Sequence, residues 1–153
     1  MTVCSGAKDA WSLKLRIPAW CVGEPELSIN GREITPEEQE GYLKIIRAWG
    51  DKDELDIFFP SKVVFEQLEG AEELVCAVDG PIVLAGLTDR DTGLQGDLND
   101  PDSLLLPEMS HTYGAFVWTQ NIYLTRHQKE NFRMIPLYEV KDEPYTVYFT
   151  AER

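Results

Sequence analysis

The richest source of metal-binding chemistry in this sequence is the stretch Asp89-Arg90-Asp91 through Asp97-Leu98-Asn99-Asp100-Pro101-Asp102, where Asp-x-Asp spacing sets hard oxygens within reach of one cation. The spacing of a calcium-binding helix-loop-helix is absent, because no D-x-[DN]-x-[DN]-G run closes on a Glu, and the stretch reads as a solvated acidic loop. A glycosidase needs two carboxylates roughly 5–10 Å apart across a sugar. With 27 acids, chance supplies such pairs, and Glu66, Glu69, Glu72 and Glu73 read as a wet face. The three cysteines, Cys4, Cys21 and Cys76, are far apart, and His111 and His127 stand sixteen positions from one another, so no zinc-ligand spacing is present. The thiols read as buried or partly buried, with one bridge plus a free thiol as the alternative. No G-x-S-x-G, phosphate loop or H-E-x-x-H occurs, and Ser5 and Ser12 have no His at a telling distance. The residues alone therefore supply no catalytic site, no metal site and no cofactor site.

Aromatic side chains are the other candidates, since Trp and Tyr can stack on sugar rings as well as fill a core. Trp11 and Trp49 fall in step with alternating apolar neighbours and read as core. Trp20 follows the break at Pro18, and Trp118 leads into Thr119-Gln120-Asn121, whose polar groups could partner a hydroxyl. Trp118, Tyr113, Tyr123 and Trp20 are the candidate carbohydrate or domain-interface contacts.

The elements that would hold these residues are strands. Trp11 to Pro18 and Glu54 to Pro60 alternate apolar and polar residues, and each ends at a proline that cannot donate to a ladder. Glu26 to Ile34 alternates around Asn30-Gly31, a pair that tolerates the left-handed backbone of a two-residue hairpin turn. Thr35 to Glu40 has a helix-opening pattern that meets Gly41 within a few residues and reads as a loop or a single turn. Further strands are expected at Tyr42–Trp49, Val63–Leu68, Leu74–Val78, Ile82–Leu87, Thr112–Trp118, Ile122–Thr125, Phe132–Leu137 and Tyr145–Thr150, with a long acidic loop from Thr88 to Pro107. This is an all-β pattern, an antiparallel β-sandwich with which jelly-roll connectivity is compatible. Three regions are expected. Residues 1–87 form a β-sandwich region and 88–110 an acidic loop or insertion. Residues 111–153 supply strands that complete the sandwich or form a second small β-domain.

The chain has 153 residues, 14 Lys+Arg against 27 Asp+Glu and a formal charge of −13, with 43% hydrophobic residues. That is enough apolar content to build a core and too much for intrinsic disorder. The excess negative charge disfavours nucleic acid, whose phosphates need cations. No apolar run approaches the roughly 18 residues of a membrane helix, and no charged-then-apolar leader opens the chain.

Several motifs together carry a family resemblance. Leu13-Lys14-Leu15-Arg16-Ile17-Pro18-Ala19-Trp20 followed by Leu27-Ser28-Ile29-Asn30-Gly31 resembles the first β-sandwich segment after the barrel in glycoside hydrolase family 127, the β-L-arabinofuranosidase group. Gly41-Tyr42-Leu43-Lys44-Ile45 with Arg47-Ala48-Trp49, then Asp53-Glu54-Leu55-Asp56-Ile57, is similar to the family's next hairpin. Gly80-Pro81-Ile82-Val83-Leu84-Ala85-Gly86 resembles its Gly-Pro strand. Phe132 to Tyr138, Asp142 and Tyr145-Thr146-Val147-Tyr148 resemble its terminal pattern. The resemblance covers about Trp11 to Gly86 and Phe132 to Thr150 and leaves the middle third unmatched.

The resemblance implies a C-terminal fragment of a larger enzyme whose chemistry belongs to a preceding (α/α)6 barrel, where a zinc ion is held by cysteines and a glutamate. None of those ligands maps onto Cys4, Cys21 or Cys76, so no catalytic residue carries over. The implied role is a non-catalytic accessory region whose partner is the barrel of the same polypeptide. The alternative is a carbohydrate-binding module contacting plant-type glycans through exposed aromatics. The parent enzyme would be a periplasmic or extracellular bacterial protein.

Overall fold

In the computed structural model the described residues are 1–5, 9–90, 93–112 and 115–152, with side chains described outside 109–120 and 152. They fold into two compact units, Met1–Ser61 and Lys62–Arg153. Strands dominate both, and all their pairings but one are antiparallel, so the chain is all-β, as its alternation indicates.

The first unit holds β1 (Thr2–Val3), β2 (Trp11–Arg16), β3 (Glu26–Ile29), β4 (Arg32–Ile34), β5 (Glu37–Gln39), β6 (Tyr42–Arg47) and β7 (Asp53–Phe58). They form a four-stranded sheet in the order β1-β7-β3-β4 and a three-stranded sheet in the order β2-β6-β5. Leu27, Ile29 and Leu55 from the first sheet meet Leu43 and Ile45 from the second around the indole of Trp49, which makes this unit a small sandwich. Burial follows the alternation: in β2 every second residue faces out. Trp11 is half-buried and lies against Trp49 with ring centroids 5.4 Å apart, and Trp49 Nε1 donates to the Trp11 carbonyl at 3.3 Å. Asn30 and Gly31 turn the β3–β4 hairpin with φ of 52° and 74°. A second hairpin of this type replaces the expected loop or helical turn at 35–40. Glu40 and Gly41 also take positive φ, 53° and 77°, and the primed turn they form aligns Glu37–Gln39 with β6.

The second unit holds β8 (Val63–Leu68), β9 (Ala71–Asp79), β10 (Ile82–Gly86), β11 (Leu94–Gln95), a single helical turn α1 (Pro101–Leu104), β12 (Leu105–Thr112), β13 (Ala115–Thr125), β14 (Arg133–Pro136), a 3-10 turn at Leu137–Glu139, and β15 (Phe149–Glu152). One eight-stranded sheet runs β11-β15-β9-β10-β14-β13-β12, and β8 completes it by pairing with β9 off this path. Residues 62–87, grouped by sequence with the first region, thus pair with the C-terminal strands. The stretch 88–110 carries β11, α1 and the start of β12. Leu94 and Leu104 plug this segment into the core beside Val75, Leu84, Met134 and Phe149. Phe132 and Phe149 stack at 5.7 Å directly over Gly86, where an added Cβ would come within 2.7 Å of both rings.

Candidate functional site

A buried polar constellation lies where β9 ends. Asp79, the last residue of that strand, is only 4% exposed. Its Oδ2 accepts 2.6 Å hydrogen bonds from Asn121 Nδ2 and from the Tyr123 hydroxyl. Both donors come from an irregular part of β13, whose register with β12 shifts between Pro107 and Met109 and where Asn121 has φ of 59°. The left-handed backbone at Asn121, which Asn tolerates better than most residues, accompanies the break in the ladder. The Tyr123 ring rests on the core while its phenol meets the carboxylate. Burial first, and then the Asp79 hydrogen bond and charge, push the phenol well above the usual tyrosine range. The arrangement clamps β13 to β9. The sequence reading gave Asp79 no role, although it named Asn121 among the polar groups that could partner a hydroxyl.

Tyr123 therefore spends its hydroxyl inside the protein. Trp20 lies in the other unit, half-buried and edge-on to Phe59 at 6.1 Å. Trp118 is a β13 residue paired through its backbone with Met109. Its side chain, and Tyr113 altogether, lie outside the described residues.

Large aromatic surface is open elsewhere. Tyr138 is 73% exposed, and Tyr145 and Tyr148 stand out from the segment between the 3-10 turn and β15. A Thr146 hydroxyl shapes that segment by donating to the Tyr148 carbonyl at 2.9 Å, and Thr146 bridges to Gly86. On the sheet's outer face Leu106, Leu124 and Arg133 stand in one cross-strand row, with both leucines exposed. The family resemblance placed these tyrosines in a terminal motif and gave no reason to expect them outside the core.

An open cleft of about 380 Å3 in the second unit is lined by Thr88, Asp89, Arg90, Gln95, Lys129 and Asn131, among others. Its polar wall is fixed by Gln128, which accepts from the Gln95 N–H and donates to the Gln95 and Arg126 carbonyls. Arg90 pairs with Glu130 across it. In the acidic segment, Asp97 Oδ1 accepts both the backbone and side-chain N–H of Asn99, a local turn.

The zinc chemistry implied by the family resemblance has no counterpart in the described residues, where no three His, Cys, Asp or Glu side chains converge. All three cysteines are free thiols. Cys4 is exposed rather than buried, and Cys21 and Cys76 are half-buried. No helix is long and apolar enough to cross a membrane among the described residues.

Residues 1–61 match the family model described as "Beta-L-arabinofuranosidase, GH127 middle domain", and these are also the bounds of the first unit. Among solved structures, a GH127 β-L-arabinofuranosidase from Geobacillus stearothermophilus T6 aligns over 99% of this chain and 28% of its own, at 22% identity and a TM-score of 0.58. A structure described only as a glycoside hydrolase aligns over 99% of this chain and 30% of its own, at 20% identity and 0.59. A further GH127 β-arabinofuranosidase aligns over 94% and 28%, at 19% identity and 0.54. No curated protein sequence matches the chain. The chain spans under a third of the length of these structures, and at such identities the likeness is one of fold. The resemblance read in the sequence is borne out: residues 1–61 are similar to the GH127 middle domain, and nearly the whole chain shares its fold with a region of GH127 enzymes.

Proposed function

We propose that this chain is a non-catalytic accessory β-region of a GH127-type glycoside hydrolase, packing against a catalytic barrel of the same polypeptide. The observation that carries the reading is the coverage: nearly all of this chain aligns with under a third of GH127 structures, and residues 1–61 match a domain named for its middle position. The exposed Leu106 and Leu124, paired across β12 and β13, are apolar surface that such packing would cover. In this reading the barrel supplies the chemistry and the β-units supply support and a rim for its site.

The test compares the chain alone with a longer protein joining it to a GH127 barrel, using an aryl β-L-arabinofuranoside. Turnover is expected only from the longer protein. Leu106→Asp with Leu124→Asp should lower the longer protein's melting temperature more than that of the chain alone. Turnover by the chain alone, abolished by one Asp or Glu substitution, defeats the reading.

A second reading, glycan contact by the chain itself, is favoured by the exposure of Tyr138, Tyr145 and Tyr148. Calorimetric titration against arabinose-rich polysaccharide, with Tyr138→Ala and Trp118→Ala as variants, tests it. Saturable heat lost in either variant supports it, and no heat from folded protein removes it.

A further inference from the structure

The outer face of the three-stranded sheet in the first unit carries a local excess of positive charge. The register sets Lys14 directly across from Lys44, and Arg16 directly across from Tyr42. On the far side of β6, Glu37 stands opposite Lys44. Directly opposed residues share a face, so Lys14, Arg16, Tyr42, Lys44 and Ile46 form one surface, while Leu13, Leu15, Leu43 and Ile45 point the other way into the core. Lys14 and Arg16 are exposed, Lys44 is half-exposed, Tyr42 is 40% exposed and Ile46 is 61% exposed.

Two features mark this face. First, like charges set directly across a ladder repel one another, and Lys14 stands directly across from Lys44. Second, Lys14, Arg16 and Lys44 are gathered on one sheet face without an ion pair among the described residues, whereas other unpaired cations, such as Arg32, Lys52 and Lys129, lie off this face. The face holds three cations against one acid, Glu37, in a chain whose formal charge is −13.

We propose that this face binds an acidic glycan, a chain of sugars bearing carboxylates. The class of ligand rests on the glycoside hydrolase reading above, and the sign of its charge rests on this sheet alone. Lys14 and Arg16 are two residues apart on β2, about 7 Å at the rise of a strand. They form with Lys44 a short cationic track suited to carboxylates recurring along an extended chain. Tyr42, beside Arg16, offers a flat apolar surface for the C–H face of a sugar ring, while Ile46 stands at the other end of the face, beyond Lys44. Association works against the repulsion of a −13 protein. At 0.15 M salt the screening length is about 8 Å, so distant acids fade while contacts on the face persist.

The experiment is calorimetric titration of the full chain at 0.15 M salt with polygalacturonate, its methyl ester and poly-glutamate. Polygalacturonate should bind saturably, and the ester and poly-glutamate at least tenfold more weakly. Lys14→Gln with Lys44→Gln, and separately Tyr42→Ala, should each weaken uronate binding about tenfold or more, with circular dichroism matching the parent. No binding by folded protein, or unchanged binding in both variants, overturns the proposal. Equal binding of poly-glutamate also overturns it and makes the face a site for acidic protein. None of these results touches the accessory role, which is read from turnover in the longer protein.

Discussion

Asn30 and Asp53 hold the two ends of a strand pair together. Asn30 Nδ2 donates to Asp53 Oδ1 at 2.8 Å, while Asn30 Oδ1 accepts the Glu54 backbone N–H at 2.8 Å. The same asparagine supplies the first left-handed residue of the β3–β4 turn. Asp53 Oδ2 accepts the Gly50 N–H at 2.8 Å and lies 3.4 Å from the Arg47 guanidinium. One carboxylate thus joins the turn before β7, the turn after β3 and the end of β6.

That arrangement predicts an acid limb in the stability profile. The Asn30 hydrogen bond first, then the Gly50 N–H and Arg47, hold the Asp53 carboxyl below the usual carboxylate range, burial opposing them. A depressed folded value means the carboxylate's contribution is present above its unfolded value, about 3.9, and is lost as pH falls through the folded one. Urea midpoints measured from pH 6 down to pH 2.5 should fall less steeply below pH 4 in Asp53→Asn than in the parent. Parallel curves would mean that the carboxylate is energetically idle.

The alkaline side is governed by Tyr123. Its phenol titrates above its unfolded value of about 10, so its contribution is complete below pH 10 and is lost progressively as pH rises beyond it. Absorbance at 295 nm should show one tyrosine ionising only as the fold is lost, and Tyr123→Phe should remove that component. Tyr123→Phe should also be less stable at pH 7, by about 1–3 kcal/mol, because it takes one donor from a buried carboxylate.

Gly86 predicts a packing defect with no polar component. Alanine there would press on Phe132 and Phe149, both ring carbons lying within 2.7 Å of the new Cβ. Overpacking of this kind costs about 1–3 kcal/mol. Chemical denaturation of Gly86→Ala should show that loss with an unchanged m value, and Phe149→Ala should cost more, roughly 3–5 kcal/mol.

Thiol chemistry should separate the cysteines without reductant. Cys4 is exposed, whereas burial and the neighbouring Glu66 raise the Cys76 thiol and deplete its thiolate. Ellman titration at pH 8 should count three thiols in denaturant. In native protein Cys4 should react fast and Cys76 slowest. Fewer than three in denaturant would indicate a bridge.

How much of this was legible in the sequence depends on the range of the signal. Strict alternation at Trp11–Arg16 and the Asn30-Gly31 turn are local, and both appear where alternation and turn chemistry put them. The β5 strand was hidden because Glu37-Glu38-Gln39 has no apolar residue and pairs only by virtue of the Glu40-Gly41 turn. The pairing of β9 with β15 joins residues some 75 positions apart, and no local pattern encodes it. The same holds for Asp79, whose partners arrive from 42 and 44 residues downstream. Tyr138 and Tyr145 entered the sequence reading only through the family resemblance, which carries no burial, and the path of the chain leaves them in solvent.

The position of Phe149 sets an order on biosynthesis. Its ring, fully buried, completes the core of a unit whose strands begin at Val63, and its strand separates β9 from β11 in the sheet. A nascent chain can close the Met1–Ser61 sandwich early. The second unit must wait with an open apolar centre and an unfilled sheet position until residues near 150 leave the ribosome. Non-local pairing of this kind folds slowly and exposes strand edges meanwhile. Misassembly during translation is therefore expected to fall on the second unit.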